Sequence, residues 1–353
     1  MRLSSGMDAL IHHLENHQDL TDREVRVAAE LLLDVAVADE KKARLLAALS
    51  AKGETAGEIA GFVEAFLEHS VDPHVGLLDL DGPTLDVCGT GGDQLNMFNV
   101  STTSMFVAAA AGAVVVKHGN RGITSKSGGA DVLEALGIRL DLPTGDFRNC
   151  LEKAGVGFLF APMYHPAFKA VVGVRKTLAE KKIRTIFNVI GPLLNPARPQ
   201  CQLIGVFARE FCPPFAEILQ RLGRESAWVV HGTTRDGRSV DEVSLMGPTR
   251  IFKTGSYQDA EDEEISPSDF GLHLAKVEDL QGGDAKENAA ILEAILSGRD
   301  TGPKRDMVIL NSGTALACCG LADNIGHGIE ISREMIASGA ALDRLRRLQA
   351  AAQ

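Results

Sequence analysis

The sequence predicts an α/β protein with a mostly parallel sheet covered by helices and a smaller all-helical subdomain at the N-terminus. The chain has 353 residues, of which 45% are hydrophobic and 24% charged, a composition typical of globular proteins with about two domains. Helix signals dominate up to about Ser70. Beyond that point short apolar runs alternate with helical patterns, as in parallel sheets.

Residues 1–75 predict consecutive helices that form the helical subdomain. Thr21-x-x-Glu24 and Thr55-x-x-Glu58 match the capping box that begins a helix, and each precedes a stretch with helical apolar periodicity. Proline-containing breaks after positions 71 and 81 then mark a boundary. A second helical patch, at 166–183, lies between strand-like runs, and we expect it to pack on the first helices.

The remaining segments, 80–165 and 184–353, predict the α/β domain. The strand-like runs are LDVC (85–88), AVVVK (113–117), GFLF (157–160), AWVVHG (227–232) and MVIL (307–310). Helical patterns such as SGGADVLEALG (127–137) and NSGTALACCGL (311–321) alternate with them, and an amphipathic helix ends the chain.

Charge and cysteine content restrict the possible partners and compartment. The chain has 36 Lys and Arg against 47 Asp and Glu, a net charge of −11. This charge disfavours binding to nucleic acid or to anionic membranes. A polyanionic substrate would need a local basic patch. The six cysteines lack disulfide-framework or metal-site spacing, and the longest apolar run, 105–116, is too short to span a bilayer. We therefore expect a soluble cytoplasmic protein with neither nucleic-acid nor membrane partners.

Ligands of parallel sheets collect in the loops that follow the strands, and four such loops carry the candidate chemistry. In the first, 85–93, the glycines Gly89, Gly91 and Gly92 follow a strand, and Asn99 opens the next helix. Glycine-rich loops and helix N-termini bind anions through backbone N–H groups, although a plain tight turn has the same composition. The loop matches neither the dinucleotide fingerprint nor the P-loop.

The second and third loops supply charge of opposite sign. Lys117, Arg121 and Lys126 lie within ten positions that contain no acid, which indicates either a phosphate cradle or a solvated basic surface. Asp241 and Glu242 are adjacent carboxylates in an apolar setting. They suit Mg²⁺, which takes one or two carboxylates together with substrate phosphates; a surface turn is the alternative.

The fourth loop contains His165 and leads to Arg175 in the second helical patch. Arginine binds carboxylates through two parallel hydrogen bonds, but Arg175 could equally be a surface ion-pair partner. Together the four loops predict a Mg²⁺-dependent enzyme that acts on a phosphorylated or pyrophosphorylated small molecule.

Taken together, these loops resemble the anthranilate phosphoribosyltransferase family, and the resemblance spans essentially the whole chain. The matching motifs, in family order, are GTGGD (89–93), FNVST (98–102), KHGNR (117–121), SKSGGADVLEALG (125–137), HPA (165–167), VRK (174–176), RTIFNVIGPLLNP (184–196) and DEVS (241–244). GTGGD is shared with pyrimidine nucleoside phosphorylases of related fold, whereas KHGNR combined with the 184–196 motif is far more specific.

The resemblance implies a helical subdomain joined to an α/β domain, and a homodimer formed through helical elements. It implies transfer of the phosphoribosyl group from 5-phosphoribosyl 1-diphosphate (PRPP) to the amine of anthranilate, with release of pyrophosphate, in the second step of tryptophan biosynthesis. It also implies Mg²⁺, with two ions when the substrate is bound.

Carried over position by position, the resemblance assigns site residues. Those implied to bind PRPP are Gly89, Gly92, Asp93, Asn99, Ser101, Thr102, Lys117 and Ser125. Those implied at the anthranilate site are Gly89, His118, Asn120, His165, Arg175 and Pro192. Ser101, Asp241 and Glu242 are the implied metal ligands. Lys117, His118 and Arg175 are the candidate catalytic residues, with His118 either a general base or a positioning residue.

The chain departs from the family pattern in three places. Met97 stands where members usually carry Thr or Ser, Gly129 stands where they carry Ser, and the segment between Arg175 and Thr185 is about three residues longer. We expect two hydroxyl contacts to PRPP to be lost. Two rival functions remain open, namely a pyrimidine nucleoside phosphorylase-like enzyme and a non-catalytic relative that binds nucleic acid.

Overall fold

A computed structural model describes residues 2–93, 95–122, 126–255 and 258–353, which divide into two compact units. The first, here called the helical unit, comprises the chain up to Val71 together with Pro162–Pro196. The second, here called the sheet unit, comprises Asp72–Ala161 and Ala197–Gln353. The helical unit thus includes both the 166–183 patch and the segment that follows it to Pro196.

Helices account for most of the regular structure in the described chain. They are α1 (Arg2–Glu15), α2 (Asp22–Leu33), α3 (Asp39–Lys52), α4 (Ala56–Glu68), α5 (Val100–Ala110), α6 (Gly129–Ala135), α7 (Thr144–Ala154), α8 (Ala161–Tyr164), α9 (Val172–Glu180), α10 (Cys212–Arg221), α11 (Ala285–Leu296), α12 (Pro303–Cys318), α13 (Ile325–Ala337) and α14 (Ala340–Ala351). None of the helices in the described ranges has the length and apolarity needed to cross a membrane.

Both predicted capping boxes are confirmed in the helical unit. The Thr21 hydroxyl accepts from the backbone of Glu24 at the start of α2, and the Thr55 hydroxyl accepts from the Glu58 backbone at the start of α4. In each case the glutamate returns a hydrogen bond to the threonine N–H, at 2.9 Å. These reciprocal bonds satisfy backbone donors that a helix otherwise leaves unpaired.

The 166–183 patch forms a short 3₁₀ turn, Pro166–Val171, followed by α9. The Lys42 side chain of α3 is almost fully buried, and its ammonium donates to the carbonyl of Ala170 at 2.9 Å. A buried ammonium needs such a partner because desolvation is costly. The patch is therefore fixed to α3 by a polar contact in addition to apolar packing.

The sheet unit is built on one mostly parallel sheet, as predicted. Its strands are β1 (Thr84–Gly89), β2 (Val114–Gly119), β3 (Val156–Phe160), β4 (Cys201–Gly205), β5 (Ser226–Thr233), β6 (Ser239–Val240), β7 (Thr249–Gly255) and β8 (Gln258–Ile265). Their order is β3-β2-β1-β4-β5-β7-β8, with β6 paired to β5. The pairs from β3 to β5 are parallel, so β1, β2 and β4 end at the same edge.

Three parts of the sheet unit differ from the sequence prediction, and the first is the central strand β4, which was not among the predicted strands. The run MVIL (307–310) is not a strand but lies inside α12, where Met307, Leu310 and Ser312 are at most 2% exposed. A helix buried on all sides lacks a polar stripe, so its short apolar runs look like buried strands. The antiparallel β7 and β8 were not predicted; the four consecutive acidic residues at 261–264 of β8 suit an edge strand.

Candidate active site

The glycine loop after β1 is shaped by close contact with Asp241. Gly91 and Gly92 have φ of +72° and +107°, conformations that favour glycine. The Gly91 N–H donates to the Asp241 carboxylate at 2.6 Å. A Cβ on Gly89 would lie 2.6 Å from the same carboxylate oxygen, so only glycine allows Asp241 to approach this closely. The predicted phosphate loop and the predicted metal ligand therefore form one cluster.

Asp241 and Glu242 lie on the loop after β6 and are held by backbone contacts. The Asp241 carbonyl oxygen packs against Gly205, where a Cβ would approach it to 1.7 Å. The Asn311 side chain accepts from the Val243 N–H at 2.9 Å and donates to the Val243 carbonyl at 2.8 Å. These contacts fix the position of the acidic pair at the ends of the parallel strands.

Burial gives the acidic pair unusual protonation behaviour. Burial, followed by repulsion from Asp93, raises the pKa of Asp241 above its ordinary range. Burial and then repulsion from Asp241 raise the pKa of Glu242, while Lys117 acts in the opposite direction. Three carboxyl groups thus face one ammonium, an arrangement that a bound divalent cation would stabilise.

The start of α5 contacts this cluster through its backbone and side chains. A backbone hydrogen bond from Ser101 reaches the Glu242 carboxyl group, and the Ser101 hydroxyl accepts from the Lys117 ammonium at 3.2 Å. Asn99, just before the helix, donates to the Ser127 carbonyl at 3.2 Å and accepts from Asn288 at 2.9 Å. Ser101 of the FNVST motif therefore lies beside Glu242.

The three basic residues of the second loop have separate roles. Lys117 is buried, and its ammonium donates to the Val87 carbonyl of β1 as well as to Ser101. Arg121 forms a two-point ion pair with Glu134 of α6, with one bond of 2.8 Å, and its guanidinium lies 5.4 Å from the centre of the Phe160 ring. Within the chain, Glu134 therefore compensates the charge of Arg121.

The other residues of this loop are described unequally. His118 is buried in β2, whereas Lys126 and Asn120 are exposed and the Asn120 side chain accepts from the next N–H in the chain at 2.8 Å. Ser125 lies outside the described residues. Asp131 accepts from the Gly128 N–H at 2.8 Å and from the Gly122 N–H at 2.9 Å, and so binds the loop to the start of α6.

Two of the three departures from the family pattern, Met97 and Gly129, lie in defined local surroundings. Met97 packs against the hydrophobic core and forms an isolated bridge with Gln281. A Cβ on Gly129 would lie 2.9 Å from the Thr102 hydroxyl, tighter than ordinary van der Waals contact. A larger residue at position 129 would therefore displace the buried Thr102.

In the helical unit, Arg175 lies half-buried on α9 with its guanidinium 5.1 Å from the centre of the Phe187 ring. Burial lowers the pKa of Arg175. Among the described residues it forms no ion pair and no hydrogen bond through its side chain. A half-buried guanidinium over an aromatic ring without an anionic partner is suited to binding an external carboxylate.

His165 supports the segment that contains Pro192. Its Nε2 donates to the Leu194 carbonyl at 2.9 Å, and its ring stacks on Phe168 with centroids 5.1 Å apart. Burial lowers the pKa of His165 to about 4, so the ring is neutral near pH 7. Pro192 lies in the short turn Gly191–Leu193, directly before this hydrogen bond.

Some supporting residues were not predicted. Phe168 and Phe187 pack edge to face at 5.5 Å and so connect the groups beneath His165 and Arg175. Asn311 fixes the acidic loop, and Gly205 allows Asp241 to approach. The only sequence signal for Asn311 is a polar residue inside an apolar helical run, whereas nothing marks Gly205 apart from its place at a strand end.

No group of three or more His, Cys, Asp and Glu side chains in the described ranges forms a metal cage. Mg²⁺ does not require one, because it retains water and shares ligands with substrate phosphates. The donor set of Asp241 and Glu242, with excess negative charge, fits such a partial site.

Comparison with known families identifies the architecture. Residues 81–342 match the α/β domain of a glycosyl transferase family, and residues 8–70 match the helical bundle domain of the same family. The chain is 43% identical to the anthranilate phosphoribosyltransferase of Herpetosiphon aurantiacus, over 97% of both proteins. The chain belongs to the anthranilate phosphoribosyltransferase family. The enzyme of Haloferax volcanii is 44% identical and aligns with 95% of this chain and 97% of its own length.

Solved structures of anthranilate phosphoribosyltransferases agree with the fold. The Thermus thermophilus enzyme superposes with a TM-score of 0.87 at 38% identity, covering 97% of this chain and 98% of its own. The Saccharomyces cerevisiae enzyme in complex with PRPP and Mg gives 0.85 at 29% identity, covering 99% and 98%. The yeast enzyme has also been solved in complex with 4-fluoroanthranilate, with a TM-score of 0.82 at 28% identity and 98% coverage of each chain.

Proposed function

We infer that the enzyme transfers the 5-phosphoribosyl group from PRPP to the amine of anthranilate and releases pyrophosphate, the second step of tryptophan biosynthesis. The observation that carries this inference is the joining of the glycine loop to the acidic pair by the Gly91–Asp241 hydrogen bond. Such a cluster suits a diphosphate and its cation. The yeast relative that binds PRPP and Mg supports the assignment.

The acidic pair, with Ser101 beside it, is our candidate site for Mg²⁺, two ions being expected with PRPP bound. Its carboxyl groups repel each other and Asp93, and Lys117 is the nearby cation that opposes this repulsion. When bound, Mg²⁺ supplies positive charge that stabilises the departing diphosphate. The backbone N–H groups around Gly89, Gly92 and the start of α5 supply further donors for the phosphates of PRPP.

The chemistry requires little from acid–base groups. Cleavage of the bond between the anomeric carbon and the diphosphate builds positive charge on the ribose and negative charge on the leaving group. Asn99, Ser101, Thr102, Lys117 and Ser125 are proposed to hold the phosphates, so that the leaving group departs from a fixed position.

The amine is positioned through the other end of anthranilate. Arg175 is proposed to bind the anthranilate carboxylate, because its guanidinium is half-buried and has no ion-pair partner in the described chain. Asn120, His118, His165 and Pro192 are the other residues that we propose for anthranilate binding. Since His165 is neutral, it adds no charge that would compete with Arg175 for the carboxylate.

We also propose a cytoplasmic homodimer formed through helical elements. All six cysteines are free thiols and buried, as in proteins of a reducing compartment. In the helical unit, Val35 is 86% exposed and Val172 is 59% exposed, which suits a surface that a second copy covers. Val35→Asp should lower the mass measured by light scattering; an unchanged dimer would place the contact elsewhere.

A fluorescence assay tests the proposed function directly. Consumption of anthranilate should require both PRPP and Mg²⁺, and pyrophosphate should appear in equal amount. A parallel incubation with uridine or thymidine and inorganic phosphate tests the nucleoside phosphorylase alternative. If the anthranilate signal does not fall either with or without Mg²⁺, the assignment is wrong. Release of free base from a nucleoside would also overturn it.

A further inference from the structure

The sheet unit contains a small cavity that Glu242 helps to line. Residues of β1, β4, β5, α5 and α12 line it, and its volume of about 10 Å³ is close to the space that one water molecule requires. Most of its wall is apolar, but Ser101, Ser104, Glu242 and Asn311 are also among the residues that line it. A buried water needs two or more such polar partners.

Ser104 is the unusual member of this lining. It is 2% exposed, and its hydroxyl has no hydrogen-bond partner among the described residues. Buried serine and threonine hydroxyls in helices usually donate to a carbonyl one turn earlier, as Thr103 does to Asn99 at 2.9 Å and Ser312 to Val308 at 2.7 Å. The Ser104 hydroxyl makes no such bond, and Ser104 is one of the residues that line the cavity.

Two of the other polar groups are already engaged. The Asn311 amide is satisfied by Val243 and by the carbonyl of Met307. The Ser101 hydroxyl accepts from Lys117. Ser101 and Ser104 are three residues apart on α5, so both lie on the helix face that meets Glu242. The hydrogen-bonding capacity that is left belongs chiefly to the Ser104 hydroxyl and the Glu242 carboxyl group.

We propose that one water molecule occupies this cavity and bridges the Ser104 hydroxyl to the Glu242 carboxyl group, which makes Ser104 a positioning residue for that carboxylate. The metal-related part of this proposal rests on the proposed function of Glu242. A bridging water satisfies the buried hydroxyl and restricts the carboxyl rotation, as groups behind metal ligands commonly do. Ser104 itself touches neither substrate nor metal.

The first test is crystallographic and does not depend on activity. Crystals of the metal-free wild type, at a resolution that shows ordered water, should contain one water within hydrogen-bond distance of Ser104 Oγ and a Glu242 carboxyl oxygen. In Ser104→Ala the water should be lost or displaced, and the Glu242 side chain should change rotamer or become less ordered. A dry cavity in the wild type, or a water that does not contact Glu242, would overturn the proposal.

The second test compares two substitutions against a control. Ser104→Ala should raise the Mg²⁺ concentration for half-maximal activity about ten-fold, whereas Ser104→Gly leaves room for a second water and should restore part of that loss. Glycine is the poorer helix former, so a purely structural role predicts the opposite order. Ser312→Ala, which removes another buried helical hydroxyl, should leave the Mg²⁺ dependence unchanged.

The outcomes separate this proposal from the proposed function. If the wild type shows no anthranilate consumption, the proposed function is wrong, and the crystal structures still decide whether Ser104 holds a water on Glu242. If the wild type is active but Mg²⁺ dependence follows thermal stability across the variants, Ser104 is a packing residue and the positioning role is wrong.

Discussion

Replacing Gly89 by alanine tests the central contact of the candidate site. The added Cβ would lie 2.6 Å from an Asp241 carboxylate oxygen and 2.9 Å from its carbonyl oxygen, about 0.8 Å and 0.5 Å inside ordinary contact at 3.4 Å. Because one of these atoms belongs to the backbone, a side-chain rotation alone cannot relieve the clash. Asp241 cannot readily retreat, since its backbone already packs against Gly205.

The expected magnitude follows from this displacement. A shift approaching 1 Å in a group that positions the substrate costs about 100-fold in kcat/KM. Overpacking should also lower the free energy of unfolding by about 1–3 kcal/mol. The assay is anthranilate consumption at saturating PRPP across a range of Mg²⁺ concentrations, together with denaturant unfolding.

Gly145→Ala is the matched control for Gly89→Ala. A Cβ at Gly145 meets no atom within 4 Å, and its φ is not positive. The control should therefore keep full activity and unchanged or slightly higher stability, by about 0.4–1 kcal/mol. If Gly89→Ala retains wild-type kcat/KM and its Mg²⁺ dependence, the close approach of Asp241 to the loop has no functional role, and the reasoning is refuted.

Three further predictions concern individual side chains. Arg175→Ala should raise the Michaelis constant for anthranilate about 10–100-fold with little change for PRPP, and Arg175→Lys should recover only part of the loss; equal changes for both substrates would contradict the carboxylate role. Asp241→Asn should lower turnover by about 100-fold or more and change the Mg²⁺ requirement; unchanged metal dependence would rule out a metal ligand there. The lowered pKa of His165, about 4 against 6.5, means that the unfolded chain binds more protons between these values, so stability should fall by up to about 3 kcal/mol as pH drops through this window. In His165→Gln, the free energy of unfolding should lack this pH-dependent contribution. If the free energy of unfolding has the same pH dependence in the wild type and in the variant, His165 does not titrate in this way.

Local signals were sufficient for the elements whose chemistry is local. The capping boxes at Thr21 and Thr55 fix helix starts through contacts three residues apart, so the sequence alone predicts them. The parallel strands before the glycine and lysine loops are continuous apolar runs next to glycine-rich turns. By contrast, MVIL within α12 could not be distinguished from a strand, because burial on all sides is a property of the surrounding fold.

The candidate site shows the same division. Its charged residues could be proposed from residue type and spacing, and the family resemblance assigned their roles. The contacts that fix them depend on distant segments: Gly205 and Asn311 are 36 and 70 positions from Asp241 along the chain, and no local pattern connects them. Likewise, the ion pair of Arg121 with Glu134 depends on how α6 packs beside the loop, and no local pattern predicts it.

The distribution of charge has a consequence for how PRPP binds. The net charge of −11 suggested that a diphosphate would need a basic patch, yet Glu134 compensates the Arg121 charge, and the Lys117 ammonium already donates to Val87 and Ser101. Asp93, Asp241 and Glu242 leave the cluster with more carboxyl groups than cations. When these carboxyl groups are ionised, the proposed site repels a free diphosphate and attracts one that brings Mg²⁺. Because the two affinities are thermodynamically linked, PRPP must strengthen Mg²⁺ binding as much as Mg²⁺ strengthens PRPP binding.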